Sequence, residues 1–255
     1  MSEIWIIKWY ESKSKLWTIL RCKNRGINLI FASVVALCGG GLKNWVIFGD
    51  KTPDMGKVIW KPGTMIYPLP AVMVSCGTDP SEYNIITISW TGTICTDPAM
   101  CYISVRPERH SYGIIKKSGE YVINLTTRQL AYAADWCGVK SGRNHNKFAE
   151  MGLTPVPASK VKAPVILESP VNIECIVKEI TELGTHHMFI SEVVAVNAED
   201  RYIDEETGLF KLNDSGPICY SHGQYYETGH LIGRFGFSVE KKKKKKSATG
   251  KRFRK

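Results

Sequence analysis

The chain has 255 residues, 44% of them hydrophobic, and a formal net charge of +10, which leaves room for one large or two small domains with an ordinary globular core. The charge is not spread evenly: residues 241–255 hold ten Lys or Arg and no acid, and residues 55–240 carry sixteen basic against twenty acidic residues, a net of −4. A body with no basic surplus does not suit nucleic acid.

Residues 1–54 open with Trp5, Trp9, Tyr10 and Trp17, continue through a basic patch at Arg21, Lys23 and Arg25, and end in the apolar run Ile27 to Leu42. A signal peptide or anchor is one reading of that run. It is shorter than the ~20 residues that cross a bilayer, and Gly39 to Gly41 interrupt its end. Val35-Ala36-Leu37-Cys38 is also a poor lipobox, because the residue before the cysteine is not small.

Further on, Pro68-Leu69-Pro70 leads into Ala71 to Cys76, a nearly continuous apolar run that reads as a buried strand with a rigid entry. Asn84 to Thr93 is rich in Ile and Thr and reads as one alternating strand, with Ile86, Ile88 and Trp90 on one face and Ile85, Thr87 and Ser89 on the other. Thr96-Asp97-Pro98 reads as a turn and Met100 to Val105 as the second arm of a hairpin. Arg106, Arg109, His110, Ser111 and Tyr112 follow within seven residues, ahead of a short helix through Ile114 and Ile115 that stops at Gly119. Guanidinium, hydroxyls and helix N-terminal amides are what a phosphate or pyrophosphate needs. A solvated charged loop is the plainer alternative.

Tyr121 to Leu125 reads as a further strand, after which Thr126 or Thr127 is expected to cap a helix running through Cys137, with Leu130, Ala133, Ala134 and Cys137 at helical spacing. Asn124 at the junction either satisfies backbone groups or approaches a ligand. Ser141 to Phe148 is a flexible turn with two cations, by itself a surface loop. None of the eight cysteines is spaced as C-x-x-C, which argues against a zinc ribbon, an iron–sulfur cluster or a thioredoxin-type motif. Their usage fits a reducing, cytoplasmic setting, and any electron carrier must then be organic. Cys175, between Ile173 and Val177, reads as a small hydrophobe in a strand. Tyr220 to Tyr226 offers aromatic faces for a planar ring or for packing. The lysine-rich tail 241–255 has no hydrophobic period and is expected to be disordered, either without a dedicated role or as a tether to nucleic acid, anionic lipid or an acidic redox partner.

Six blocks, NIITISWTGT, YISVRPERHSY, YVINLTT, CGVKSGRNHNKF, ESPVNIEC and GTHHMFISEVVAV, taken in order, resemble the flavin reductase-like family with the FMN-binding split-barrel fold, nearest its flavoredoxin branch. The likeness covers Gly56 to Val239. It implies a mainly β chain with a few helices, a Greek-key-like six-stranded barrel, and a homodimer with FMN at the subunit interface. It also implies that Met55 opens the natural protein, as a flavoredoxin-like start, so residues 1–54 would be an upstream extension.

Carried over residue by residue, the resemblance places Thr87, Ser89, Trp90 and Thr91 along the flavin ring and ribityl chain. Arg106, Arg109, Ser111 and Tyr112 fall at the phosphate, and Asn84, His110, Ser141 and Lys147 are counted among the cofactor contacts. Asn146 stands where relatives carry Asp, which leaves a capping or pairing role there open. His186 takes the place of a family histidine near the isoalloxazine or the hydride donor, and is the candidate catalytic residue. The implied activity is an FMN oxidoreductase passing electrons from NAD(P)H or a redox protein to flavin, ferric iron or a protein acceptor. Two alternatives are a flavoredoxin-type carrier without small-molecule turnover, and a nonenzymatic flavin-binding or nucleic-acid-tethered protein. No GxGxxG opens a helix after a strand, but the family is implied to take nicotinamide by stacking on the flavin.

Overall fold

The computed structural model describes the backbone of residues 4–12, 15–24 and 27–35, and residues 56–240 in full. It divides into two units, residues 1–64 and 65–255. In the first, strands β1 (Ile4–Ser12), β2 (Lys15–Asn24) and β3 (Ile27–Val35) form an antiparallel sheet in the order β1-β2-β3. Aromatic and β-branched residues make up most of β1 and β3, the composition that suits a pleated backbone. The front part of the apolar run from Ile27 is thus strand; the remainder of residues 1–54, and the lysine-rich tail, lie outside the described residues. Among the described residues no helix is long and apolar enough to cross a membrane.

The second unit is built on a seven-stranded antiparallel sheet. Its strands are β5 (Val72–Cys76), β6 (Asn84–Ile88), β7 (Thr91–Cys95), β8 (Met100–Val105), β9 (Glu120–Leu125), β12 (Val171–Glu182) and β13 (His187–Ala198), in the order β6-β5-β9-β12-β13-β8-β7. The expected single strand from Asn84 to Thr93 is therefore two. β6 pairs with β5 at one edge of the sheet, while β7 pairs with β8 at the other, and only Ser89 and Trp90 separate them. Two consecutive strands on opposite edges force the sheet to curl and bring those edges toward each other. The Ser104 N–H donates to the Trp90 carbonyl at 2.8 Å, carrying the β7–β8 pairing on to the edge of the bend. No ladder joins β6 to β7, so the barrel stays open, and it has seven strands where six were expected.

Curling gives the sheet two buried faces. Inside, Val74, Ile86, Ile103, Tyr121, Ile123, Cys175 and Phe189 form the main core, closed at one end by Tyr112 and Ile115 of helix α1 (His110–Ser118). Outside, Met73 and Ile85 pack with Ala134 and Cys137 of α2 (Ala131–Val139) and Phe148 of α3 (Lys147–Met151). This is why β5 is apolar at nearly every position: alternate residues enter different cores, and all five are buried. Cys101 and Cys175 meet inside, sulfur to sulfur at 3.5 Å, as thiols.

Helix α2 starts at Ala131, later than expected, with Leu130 at its N-cap. The two threonines proposed as caps are used elsewhere. Thr126 Oγ1 donates to the Ala71 carbonyl, and the Thr127 backbone pairs with Pro217 in an isolated antiparallel bridge. Asn124 serves backbone: its Nδ2 donates to the Met73 carbonyl at 2.9 Å and its Oδ1 accepts from Ile166 N–H at 3.0 Å. Helix α1 ends as read, at Gly119 with φ +71°, a conformation that costs glycine no side-chain clash.

Smaller strands complete the unit. β4 (Leu69–Pro70) pairs with β14 (Ile218–Ser221), which forms a hairpin with β15 (Gln224–Glu227), and β10 (Pro155–Val156) pairs with β11 (Val165–Ile166). The loop before β11 is held by two carboxylates. Glu174 accepts from the Ser159, Lys160 and Val161 backbone N–H groups, and Glu120 from those of Lys162 and Ala163.

Candidate functional site

Three element ends converge at the outer edge of the sheet: the start of β6, the N-terminus of α1, and the turn from α2 into α3. They enclose a cavity of about 250 Å³. Of the residues expected to bind cofactor, the fold brings Asn84, Arg109, His110, Ser111, Ser141 and Lys147 to its wall, and adds Glu108, Lys140 and Arg143. The last three were not singled out in the sequence, although Arg143 lies within the loop noted for its cations. A larger cavity of about 480 Å³ opens near Leu130, Leu153 and Tyr202, and its one basic residue, Arg201, is paired with Glu199.

Several side chains at the smaller cavity are held from behind. Asn84 Nδ2 donates to Ser111 Oγ at 2.7 Å, and both residues are buried. Arg109 donates to the Gly138 carbonyl, while Lys147, only 4% exposed, donates to the carbonyls of Ile85 and Cys137 at 2.7 Å each. Two cations thus meet the C-terminal carbonyls of α2, where the helix dipole is negative. The Arg143 guanidinium reaches the Glu108 carbonyl at 3.4 Å, linking the two loops across the opening. Asn146 caps α3, its Oδ1 accepting from Ala149 N–H at 3.2 Å, so the capping role left open in the sequence is filled.

The field inside is positive. Glu108, the one acidic residue of the lining, is paired with Arg106 at 2.9 Å. Burial, then the charges of Arg143 and Lys147, push the His110 imidazole below its ordinary range. Burial brings Lys147 down to about 8, with Arg109 adding to the effect and the Cys137 and Cys76 thiols opposing it. Guanidinium, ammonium, hydroxyl and the open amides of a helix N-terminus form a donor set that fits a phosphate group.

Gly142 closes one wall against Asn84. A Cβ there would stand 2.1 Å from Asn84 Oδ1 and 2.6 Å from its Cγ, and Asn84 could yield only by leaving Ser111. Gly142→Ala is expected to lower stability by about 1–3 kcal/mol through overpacking. An unchanged thermal midpoint would show that this wall is loose.

The other expected residues lie elsewhere. Thr87 Oγ1 donates to the Ala134 carbonyl and Thr91 Oγ1 to the Tyr102 carbonyl at 2.6 Å, so both hydroxyls spend their proton on backbone. Tyr112 turns from the cavity into the core, with its hydroxyl 2.8 Å from His187 Nδ1. Ser89 and Trp90 occupy the bend between the sheet edges. There Trp90, 36% exposed, packs on His186 with ring centroids 4.2 Å apart. Burial and then Arg106 push His186 below its usual range, with Glu108 opposing. The Arg106–Glu108 pair thus acts on His186, while Glu108 also lines the anion cavity.

A curled, open antiparallel sheet with a cation-lined cavity at its edge is a barrel-like fold with a place for an anion, and comparison with known proteins narrows it. Residues 64–229 match the model of the flavin reductase like domain. The chain belongs to this family, which places its function in flavin-related redox chemistry. Among solved structures it is similar to flavoredoxin of Desulfovibrio vulgaris (Miyazaki F), at 30% identity and a TM-score of 0.67, over 72% of this chain and 100% of that one. Flavoredoxin from Methanosarcina acetivorans shares the fold at 22% identity and a TM-score of 0.65, over 72% and 99% of the two chains. A protein of Pyrococcus abyssi is 29% identical over 157 residues, covering 62% of this chain and 90% of its own.

Proposed function

We propose that the chain is an FMN oxidoreductase of flavin reductase or flavoredoxin type, holding the cofactor phosphate in the cavity at the α1 N-terminus. The observation that carries this reading is the convergence of Arg109, Ser111, Arg143 and Lys147 on one small cavity whose single acid is already paired. FMN would supply hydride acceptance and one- or two-electron transfer. The chain's residues bind and orient it. Arg109 and Arg143 present planar forks to phosphate oxygens, Ser111 is fixed by Asn84, and Lys147 adds buried positive charge. Trp90 and His186, tilted at 46° to each other, offer aromatic faces at the neighbouring bend, beside which a flavin ring and a planar donor have a platform. His186, biased toward its neutral form, would there be a hydrogen-bonding group rather than a fixed charge.

Assembly as a homodimer belongs to the same proposal. It is supported by Leu231, Ile232, Phe235 and Val239, which a single chain leaves exposed. The test is the visible spectrum of the purified protein, followed by NADH and NADPH added separately without oxygen. A yellow protein bleached within seconds by one nicotinamide is the expected result and names the donor. Bleaching only by a reduced redox protein would favour the flavoredoxin-type carrier, and a colourless protein that takes up no FMN would refute the proposal.

A further inference from the structure

Lys147 combines features that seldom occur together. It is buried, uses two of its three N–H donors on the carbonyls of Ile85 and Cys137, and has no carboxylate within ion-pairing distance among the described residues. A charged ammonium in such a place lacks the counter-charge that burial ordinarily demands. Two carbonyl oxygens solvate it only in part, and Arg109 opposes its charge. The same ammonium lines the cavity whose other walls are built for an anion.

We propose that a phosphate dianion and a proton enter this cavity together, the proton lodging on Lys147 Nζ, so that phosphate binding weakens as the solution becomes alkaline. The inference rests on the reading of the cavity as the FMN phosphate site and concerns how that site responds to pH. The free lysine, brought down to about 8, loses its proton over a range where the cavity is otherwise unchanged in charge. Bound phosphate provides the missing counter-charge, raises the lysine's proton affinity, and draws a proton from solvent.

The surrounding groups leave Lys147 as the titrating partner. From α2, Cys137 is pushed up to about 11 by burial, and from β5, Cys76 is pushed up to about 12. Arg109 ahead of α1 and Arg143 in the facing loop are the guanidinium groups of the wall, and burial with the charges of Arg143 and Lys147 holds His110 below its ordinary range. Glu108 is the one acid, paired with Arg106. Lys140, exposed at the rim, is the remaining cation and is separated by a variant.

The experiment is calorimetric titration of the full-length apoprotein with FMN at pH 7 and pH 9, each in two buffers of different ionisation enthalpy. The expected result is uptake of nearly one proton per FMN at pH 9. Affinity should fall roughly tenfold from pH 7 to pH 9, approaching tenfold per pH unit above the lysine's own titration. Lys147→Arg, which keeps its charge throughout, should bind FMN without proton uptake, whereas Lys140→Met should keep the wild-type uptake. If Lys147→Arg does not fold, the wild-type proton count still decides. Binding of FMN with no proton uptake at pH 9, or with the same uptake in a folded Lys147→Arg protein, would overturn the proton linkage while leaving the phosphate site intact. Failure to bind FMN at either pH would overturn both.

Discussion

Glu174→Ala is expected to destabilise the barrel unit by about 3–5 kcal/mol, because several buried donors each lose a charged acceptor. Glu174 is fully buried in β12, and its carboxylate accepts from the backbone N–H groups of Ser159, Lys160 and Val161, the Ser159 hydroxyl and Asn197 Nδ2. Alanine would leave three backbone donors without acceptors in a loop that packs Val161 and Ala163 against Val122. The lost anchor, rather than lost apolar contact, sets the magnitude.

The same carboxylate gives the unit a pH dependence of definite sign. Burial by itself would raise the Glu174 carboxyl, but the bonds from Asn197, Ser159 and Lys160 outweigh it and bring the group down to about 2. Its stabilisation is therefore fully present above the ordinary carboxylate range, near 4.5, and is lost as pH falls toward about 2. Denaturant unfolding at pH 6 and pH 3 checks this. The wild type should lose more stability than Glu174→Gln over that interval, and equal losses would remove Glu174 from the explanation.

Arg109→Ala is expected to weaken FMN binding by about 10- to 150-fold, the equivalent of the 1.5–3 kcal/mol assigned to a hydrogen bond with a charged partner. Arg109→Lys keeps the charge but loses the planar fork and should recover only part of that loss. Arg109 also holds the Gly138 carbonyl at the end of α2, so fluorescence titration with FMN belongs beside a thermal melt of each variant. Wild-type affinity in a folded Arg109→Ala protein would show that the phosphate is held elsewhere.

Much of this was legible in the chain itself. The apolar run at Val72–Cys76, the strand at Met100–Val105 and the helix stop at Gly119 carry local signals that burial and backbone geometry obey. The cluster Arg109, His110 and Ser111 could be read as anion-binding because its members are adjacent in sequence and open a helix. The break at Ser89–Trp90 could not. Asn84 to Thr93 alternates without a gap, and what divides it is that one half must pair with β5 and the other with β8. Likewise, nothing local shows that the Thr87 and Thr91 hydroxyls are taken by the carbonyls of Ala134 and Tyr102.

The sequence by itself determined the mainly β character, the family and the kind of ligand chemistry the chain carries, because these follow from short-range pattern and from residue types in fixed order. Which of those residues share a cavity was decided by the tertiary structure. Curling the sheet sets the start of β6 beside the N-terminus of α1 and the end of α2, and there Asn84, Ser111 and Lys147, far apart in the chain, become neighbours. Helical rotation does the reverse to Ser111 and Tyr112, sending adjacent residues to the cavity and to the barrel core. The charge state of Lys147 is likewise a tertiary property, since burial with no acidic partner among the described residues is a fact of packing that no residue records in its own identity.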